Sequence, residues 1–183
     1  SALDDRVKAA APACYITSWR ELLTALGPQD GEQVFPNFLR ENLDMADCIQ
    51  VIAPKPWLMV NTINDFFPLE GARQTYEEAR RWYGLYGAED RIGWHIGPGG
   101  HGWPKPSREA IYRWFIRWLK DGEVDASEPA DKLNEPEVLL VPRTGQVPGW
   151  PGGETVFTLN GKPAADLIPR TAPGAKGVPA AAR

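Results

Sequence analysis

The chain has 183 residues, 43% hydrophobic and 24% charged, a composition of the soluble globular class with room for one domain and a tail. A net charge of -4 with no Lys/Arg run argues against nucleic acid or anionic membrane as a partner, since both bind mainly through clustered positive charge. No apolar run approaches the roughly 20 residues that span a bilayer. Two Cys and two His without CxxC or HExxH spacing argue against zinc, so no metal and no cofactor is expected.

From the N-terminus, Asp5 to Ile16 passes into the small apolar run Val7, Ala9, Ala10, Ala11 and then Cys14, Tyr15, Ile16, which reads as a short buried strand. Ser18 suits the N-cap of a helix, with Glu21 three residues on, and Gly27-Pro28 stops it. Residues 35–53 carry apolar positions consistent with short helices that end before Pro54. The run from Trp57 to Ile63 lacks alternation, the mark of a strand buried on both faces of a parallel sheet.

Ala72, Tyr76, Ala79, Tyr83 and Tyr86 recur at spacings of three and four residues, so they share one face of a helix that Gly87 terminates. Arg91 to Ile96 reads as another strand, followed by a glycine-rich loop. Ser107 suits the cap of a last helix whose Ile111, Phe115, Trp118 and Leu119 face inward, with Gly122 just beyond it. Alternating strands and helices over residues 1–122 give an α/β fold with about three parallel strands flanked by helices. Residues 123–168 read as a linker and a β-hairpin extension, pairing Val138 to Val141 with Thr155 to Leu159 across a Gly/Pro-rich connection. The stretch 169–183 reads as a disordered tail.

Asp65 closes the buried strand and His101 lies in the glycine-rich loop after the next one, which puts both at the carboxyl edge of a parallel sheet, where such sheets bind ligands. An imidazole acting as general base needs a partner that fixes its tautomer, and a carboxylate on the neighbouring strand end supplies one. On residue types alone a second reading stands beside this one: Asp65 caps a turn and His101 is a surface loop residue.

The segments PKPWLMVNTINDFFP at 54–68, YGLYG at 83–87 and GGHGW at 99–103 resemble the last third of α/β-hydrolases of the acetyl xylan esterase-like kind. The resemblance covers about residues 3–122. It implies an incomplete α/β-hydrolase fold, with Asp65 as the triad acid and His101 as its base. It also implies an acetylated carbohydrate ester as substrate, with Phe66, Trp94 and Trp103 as candidate sugar-stacking neighbours, and a parent protein that is secreted or periplasmic. SALDDRV at 1–7 is similar to the family's helix just after the nucleophile elbow.

The elbow itself, G-x-S-x-G, occurs nowhere in the chain. Ser1 is terminal, Ser18 and Ser107 are placed as caps, and Ser127 is in the linker. Cys14 and Cys48 are weak substitutes, because a buried thiol in an apolar run is usually inert. The expectation is therefore a hydrolase part that contributes acid and base while an N-terminal half, or a second chain covering the open sheet edge, carries the nucleophile. Two other functions share these features: a non-catalytic module that binds carbohydrate, and a peptidase of the same fold.

Overall fold

The computed structural model describes residues 1–25, 30–120, 125–130 and 133–167. It divides into two compact units, Ser1–Ala130 and Asp131–Arg183. The boundary falls within the stretch read as a linker.

The first unit opens with residues 10–14 running beside a strand rather than forming one. Ala10 and Ala13 make parallel bridges to Trp57 and Val60, and the Pro12 carbonyl accepts from the Val60 N–H at 3.1 Å. Proline has no N–H to return the bond, so one rung is lost and the expected strand is reduced to two bridges in the same register. Ser18 caps helix α1, Trp19–Leu22, through a hydrogen bond from the Glu21 N–H. The expected stop at Gly27-Pro28 lies outside the described residues. Helix α2, Met45–Gln50, starts in an Asp44/Asp47 capping box, and Asp44 also accepts from the Trp19 N–H at 3.0 Å, joining the two helix starts.

Strand β1, Trp57–Thr62, is buried along its whole length. Its alternate side chains enter different cores: Trp57 and Met59 join the larger cluster with Ile49 and Tyr83, while Leu58 and Val60 join Ile111 and Trp114 on the other face. Two buried faces explain the unalternating sequence. Helix α3, Leu69–Leu85, buries Ala72, Thr75, Ala79 and Tyr83. Its end is a Schellman motif: the Ala88 N–H reaches the Tyr83 carbonyl, the Gly87 N–H reaches that of Gly84, and Gly87 has φ 62°. Tyr86, expected on the buried face, sits at this C-cap and is exposed, because the chain turns away there.

Strand β2, Ile92–Gly97, pairs parallel with β1 from Trp57↔Ile92 to Thr62↔Gly97. Thus β1 is flanked by residues 10–14 on one edge and β2 on the other, and all three tracks run the same way. No further strand joins them among the described residues. Helix α4 spans Lys105–Leu119 with Pro104 at its N-cap, three residues before the expectation that placed Ser107 there. Ser107 lies in the first turn, buried, with its Oγ packed on Gly97 and without a hydrogen-bond partner among the described residues. Trp114 takes the inward position expected of Leu119, which is exposed.

In the second unit the expected hairpin is replaced by a 3-10 turn, Pro136–Leu139, and helix α5, Val156–Leu167. The reason is local. The Thr158 N–H donates to Thr155 Oγ1 at 3.1 Å and the Thr155 N–H donates to Thr158 Oγ1 at 2.8 Å, a reciprocal cap that starts a helix where β-branched residues had suggested a strand. The 169–183 tail lies outside the described residues. No helix among the described residues is long and apolar enough to cross a membrane.

Candidate active site

The site forms where the three parallel tracks end on one rim. The ladder continues past both strands: the Ile63 N–H bonds the Gly97 carbonyl and the Asn64 N–H bonds that of Gly99, each at 3.0 Å, so the loops after β1 and β2 leave side by side. Asp65 follows on one loop and His101 on the other. Gly99 at φ 86° and Gly102 at φ 155° bracket the histidine in conformations that disfavour a side chain, which is what the GGHG run supplies.

His101 Nδ1 lies 3.0 Å from Asp65 Oδ1. The carboxylate is fully enclosed, whereas the imidazole side chain is 46% exposed. Asp65 Oδ1 also accepts from the Phe67 N–H at 3.1 Å, and Thr62 Oγ1 donates to Oδ2 at 3.2 Å. The carboxylate therefore closes the turn and holds the imidazole at once. Burial pushes the Asp65 carboxyl upward, but hydrogen bonds from Phe67, His101 and Cys14 outweigh it and hold the group below its usual range.

Since the folded value lies under the unfolded one of about 3.9, Asp65 stabilises the fold above that pH and loses the contribution as pH falls through the folded value. Urea midpoints followed downward from neutral pH are expected to fall less steeply for Asp65→Asn than for the parent chain over this acid window.

Of the aromatic neighbours, Phe66 stacks on the imidazole with ring centroids 4.5 Å apart and an interplanar angle of 23°. Trp103 is exposed two residues beyond His101, and its carbonyl accepts from Arg108, which pairs with the buried Glu128 carboxylate. Trp94 is half-buried. Its ring packs on the larger core and on Tyr76, and its Nε1–H donates to Asn61 Oδ1 at 2.9 Å.

Sequence spacing missed Cys14. It ends the third track at the same rim, adopts φ 55°, and points Sγ at the Gly102 carbonyl, 3.1 Å away. Burial raises its thiol above the ordinary range, so it is a protonated donor and no ready nucleophile. Its position at the end of the first predicted strand was the available signal. One ligand atom each of Cys14, Asp65 and His101 lie within 4.8 Å of one another. No serine hydrogen-bonds His101 among the described residues. Ser18 caps α1, Ser107 is buried against Gly97, and Ser127 donates to the Asp125 carboxylate.

Three solved structures share this arrangement of strands and helices. The chain matches a glucuronoyl esterase of carbohydrate esterase family 15 from Caldicellulosiruptor kristjansonii with a TM-score of 0.53 and 19% identity, over 73% of this chain and 43% of that one. The glucuronoyl esterase catalytic domain from Hypocrea jecorina gives 0.55 and 13%, over 76% and 45%. That from Sporotrichum thermophile gives 0.51 and 16%, over 72% and 43%. The fold is that of an α/β-hydrolase, in part. The chain spans less than half the length of each of these structures. No protein-family model and no curated protein matches the sequence.

Proposed function

We propose that this chain is the acid-and-base portion of a serine-type carboxylic ester hydrolase acting on carbohydrate esters. The observation that carries the reading is the 3.0 Å contact between a fully enclosed carboxylate and a half-exposed imidazole at the carboxyl rim of a parallel sheet. In this reading Asp65 holds the Nδ1–H of His101, which leaves Nε2 facing outward to take a proton from a serine hydroxyl as that oxygen attacks the ester carbonyl. The imidazolium then protonates the departing alcohol, and water clears the acyl-enzyme by the same route reversed. The serine and the oxyanion donors come from residues outside this sequence, on an N-terminal half of the fold or on a second chain that covers the open edge beside residues 10–14.

Phe66 and Trp103 stand as the sugar-facing aromatics, since one stacks on the imidazole and the other is exposed two residues beyond it in the same loop, while Trp94 is half-buried against the core. The sequence resemblance favours acetyl esters, whereas the structural neighbours are named for glucuronoyl esters, so the substrate class proposed is the carbohydrate ester in general. The test is to express the whole reading frame that contains this chain and assay an acetylated xylan fragment beside an alkyl ester of glucuronic acid. Hydrolysis of either ester is expected. Binding of both without turnover would replace the reading with that of a carbohydrate-binding module, and cleavage of a peptide amide in preference to both esters would replace it with a peptidase.

A further inference from the structure

We propose that Cys14, Asp65 and His101 together form a binding site for a thiophilic divalent cation of the zinc type, and that occupancy of this site switches the Asp65–His101 pair off. Motif spacing looks for metal ligands close together in sequence. Here the three come from the ends of three parallel tracks, two of them strands, that meet at one rim. Their donor atoms lie within 4.8 Å of one another. A tetrahedral zinc ion with bonds of about 2.0–2.3 Å sets its ligand atoms about 3.5 Å apart, so modest side-chain rotation closes the set around an ion.

The donor chemistry selects the metal. A thiolate, an imidazole nitrogen and a carboxylate oxygen suit zinc and its neighbours, whereas magnesium and calcium require oxygen throughout. The Gly102 carbonyl, 3.1 Å from Sγ, or a water fills the fourth position. The left-handed backbone at Cys14 supports the placement. A non-glycine residue at φ 55° costs free energy, and here it turns the thiol out of the apolar track toward the carboxylate and the histidine loop. His101 is 46% exposed and gives the cation its approach from solvent.

Proton balance is explicit. A coordinating cation deprotonates a thiol outright, so binding forms the sulfur–metal bond and releases the thiol proton to buffer. The imidazole nitrogen that binds is the neutral one, and any proton it carried moves to the other ring nitrogen. No oxidant or reductant takes part. The inhibitory consequence rests on the reading of Asp65 and His101 as acid and base; the binding itself does not.

The decisive experiment is calorimetric titration of the reduced, untagged full chain with zinc chloride in two buffers of different ionisation enthalpy, with magnesium chloride as comparison. One zinc site per chain, release of a proton, and no magnesium binding are expected. Cys14→Ser and His101→Gln should each weaken zinc by more than the roughly tenfold that loss of a supporting group costs, while Cys48→Ser leaves it unchanged. The half-exposed His101 keeps that variant informative if Cys14→Ser fails to fold. Cobalt(II) should give a thiolate charge-transfer band that is absent from Cys14→Ser. Undiminished zinc affinity in both Cys14→Ser and His101→Gln, or no binding to the parent chain, would overturn the proposal. Zinc binding in a protein without ester hydrolysis would instead overturn the esterase reading alone.

Discussion

His101→Ala, made in the protein that carries this chain together with a nucleophile, is expected to lower kcat for p-nitrophenyl acetate by about 10³-fold or more, the upper part of what a positioned general base contributes. The imidazole is half exposed, and its removal leaves both core clusters untouched, so circular dichroism and the urea midpoint should change little. Asp65→Asn is expected to behave similarly in activity, because an amide at this position no longer selects the tautomer with its proton on Nδ1. The two losses should not add, since carboxylate and imidazole act as a unit. Activity unchanged by His101→Ala would remove the histidine from the chemistry.

Tyr83→Ala is expected to be the most damaging single change to stability, costing about 3–5 kcal/mol, the range for deleting a buried aromatic ring. Tyr83 is fully buried in the larger cluster, and its hydroxyl donates to the Lys55 carbonyl at 2.7 Å, fixing the turn that leads into β1. Burial also pushes its phenol well above the ordinary range, so the ring is neutral at physiological pH. Since small domains hold only about 5–15 kcal/mol in total, the variant should show a substantial unfolded fraction in mild urea. Tyr83→Phe separates the ring from the hydroxyl and should cost about 1–3 kcal/mol, the penalty for leaving the Lys55 carbonyl without its donor. Tyr86→Ala, at the exposed C-cap three residues on, should stay within about 0.5 kcal/mol of the parent.

The strands and helix that build the rim were legible because their signals act over many residues. The unalternating run from Trp57 reflects burial against two cores, and the Ala72–Tyr83 spacing reflects one helix face on one of them. The meeting of Asp65 and His101 follows from topology: two strands joined by a helix crossover run parallel, so the residues that follow them share an edge.

What escaped the sequence reading depends on single groups. One missing N–H at Pro12 turns an expected strand into two bridges. One reciprocal pair, Thr155 with Thr158, makes a helix of a segment whose β-branched residues suggested a strand. Pro104 starts α4 and leaves Ser107 inside its first turn, packed on a glycine. Cys14 looked like a member of an apolar run until its left-handed backbone turned the thiol out of that run and toward the histidine loop. Trp94 offered no signal for which face of the sheet it takes; its hydrogen bond to Asn61 and its contact with Tyr76 decide that.

The pairing of Asp65 with His101 can be read without any substrate or nucleophile. A long-range proton–nitrogen NMR spectrum of the metal-free chain at alkaline pH distinguishes the two neutral tautomers of each imidazole. The His101 signals should show the proton on Nδ1, held by the carboxylate, and a bare Nε2; Asp65→Asn should abolish that preference. A His101 ring protonated on Nε2, or one whose tautomer ignores Asp65→Asn, would contradict the pairing and with it the acid-and-base role.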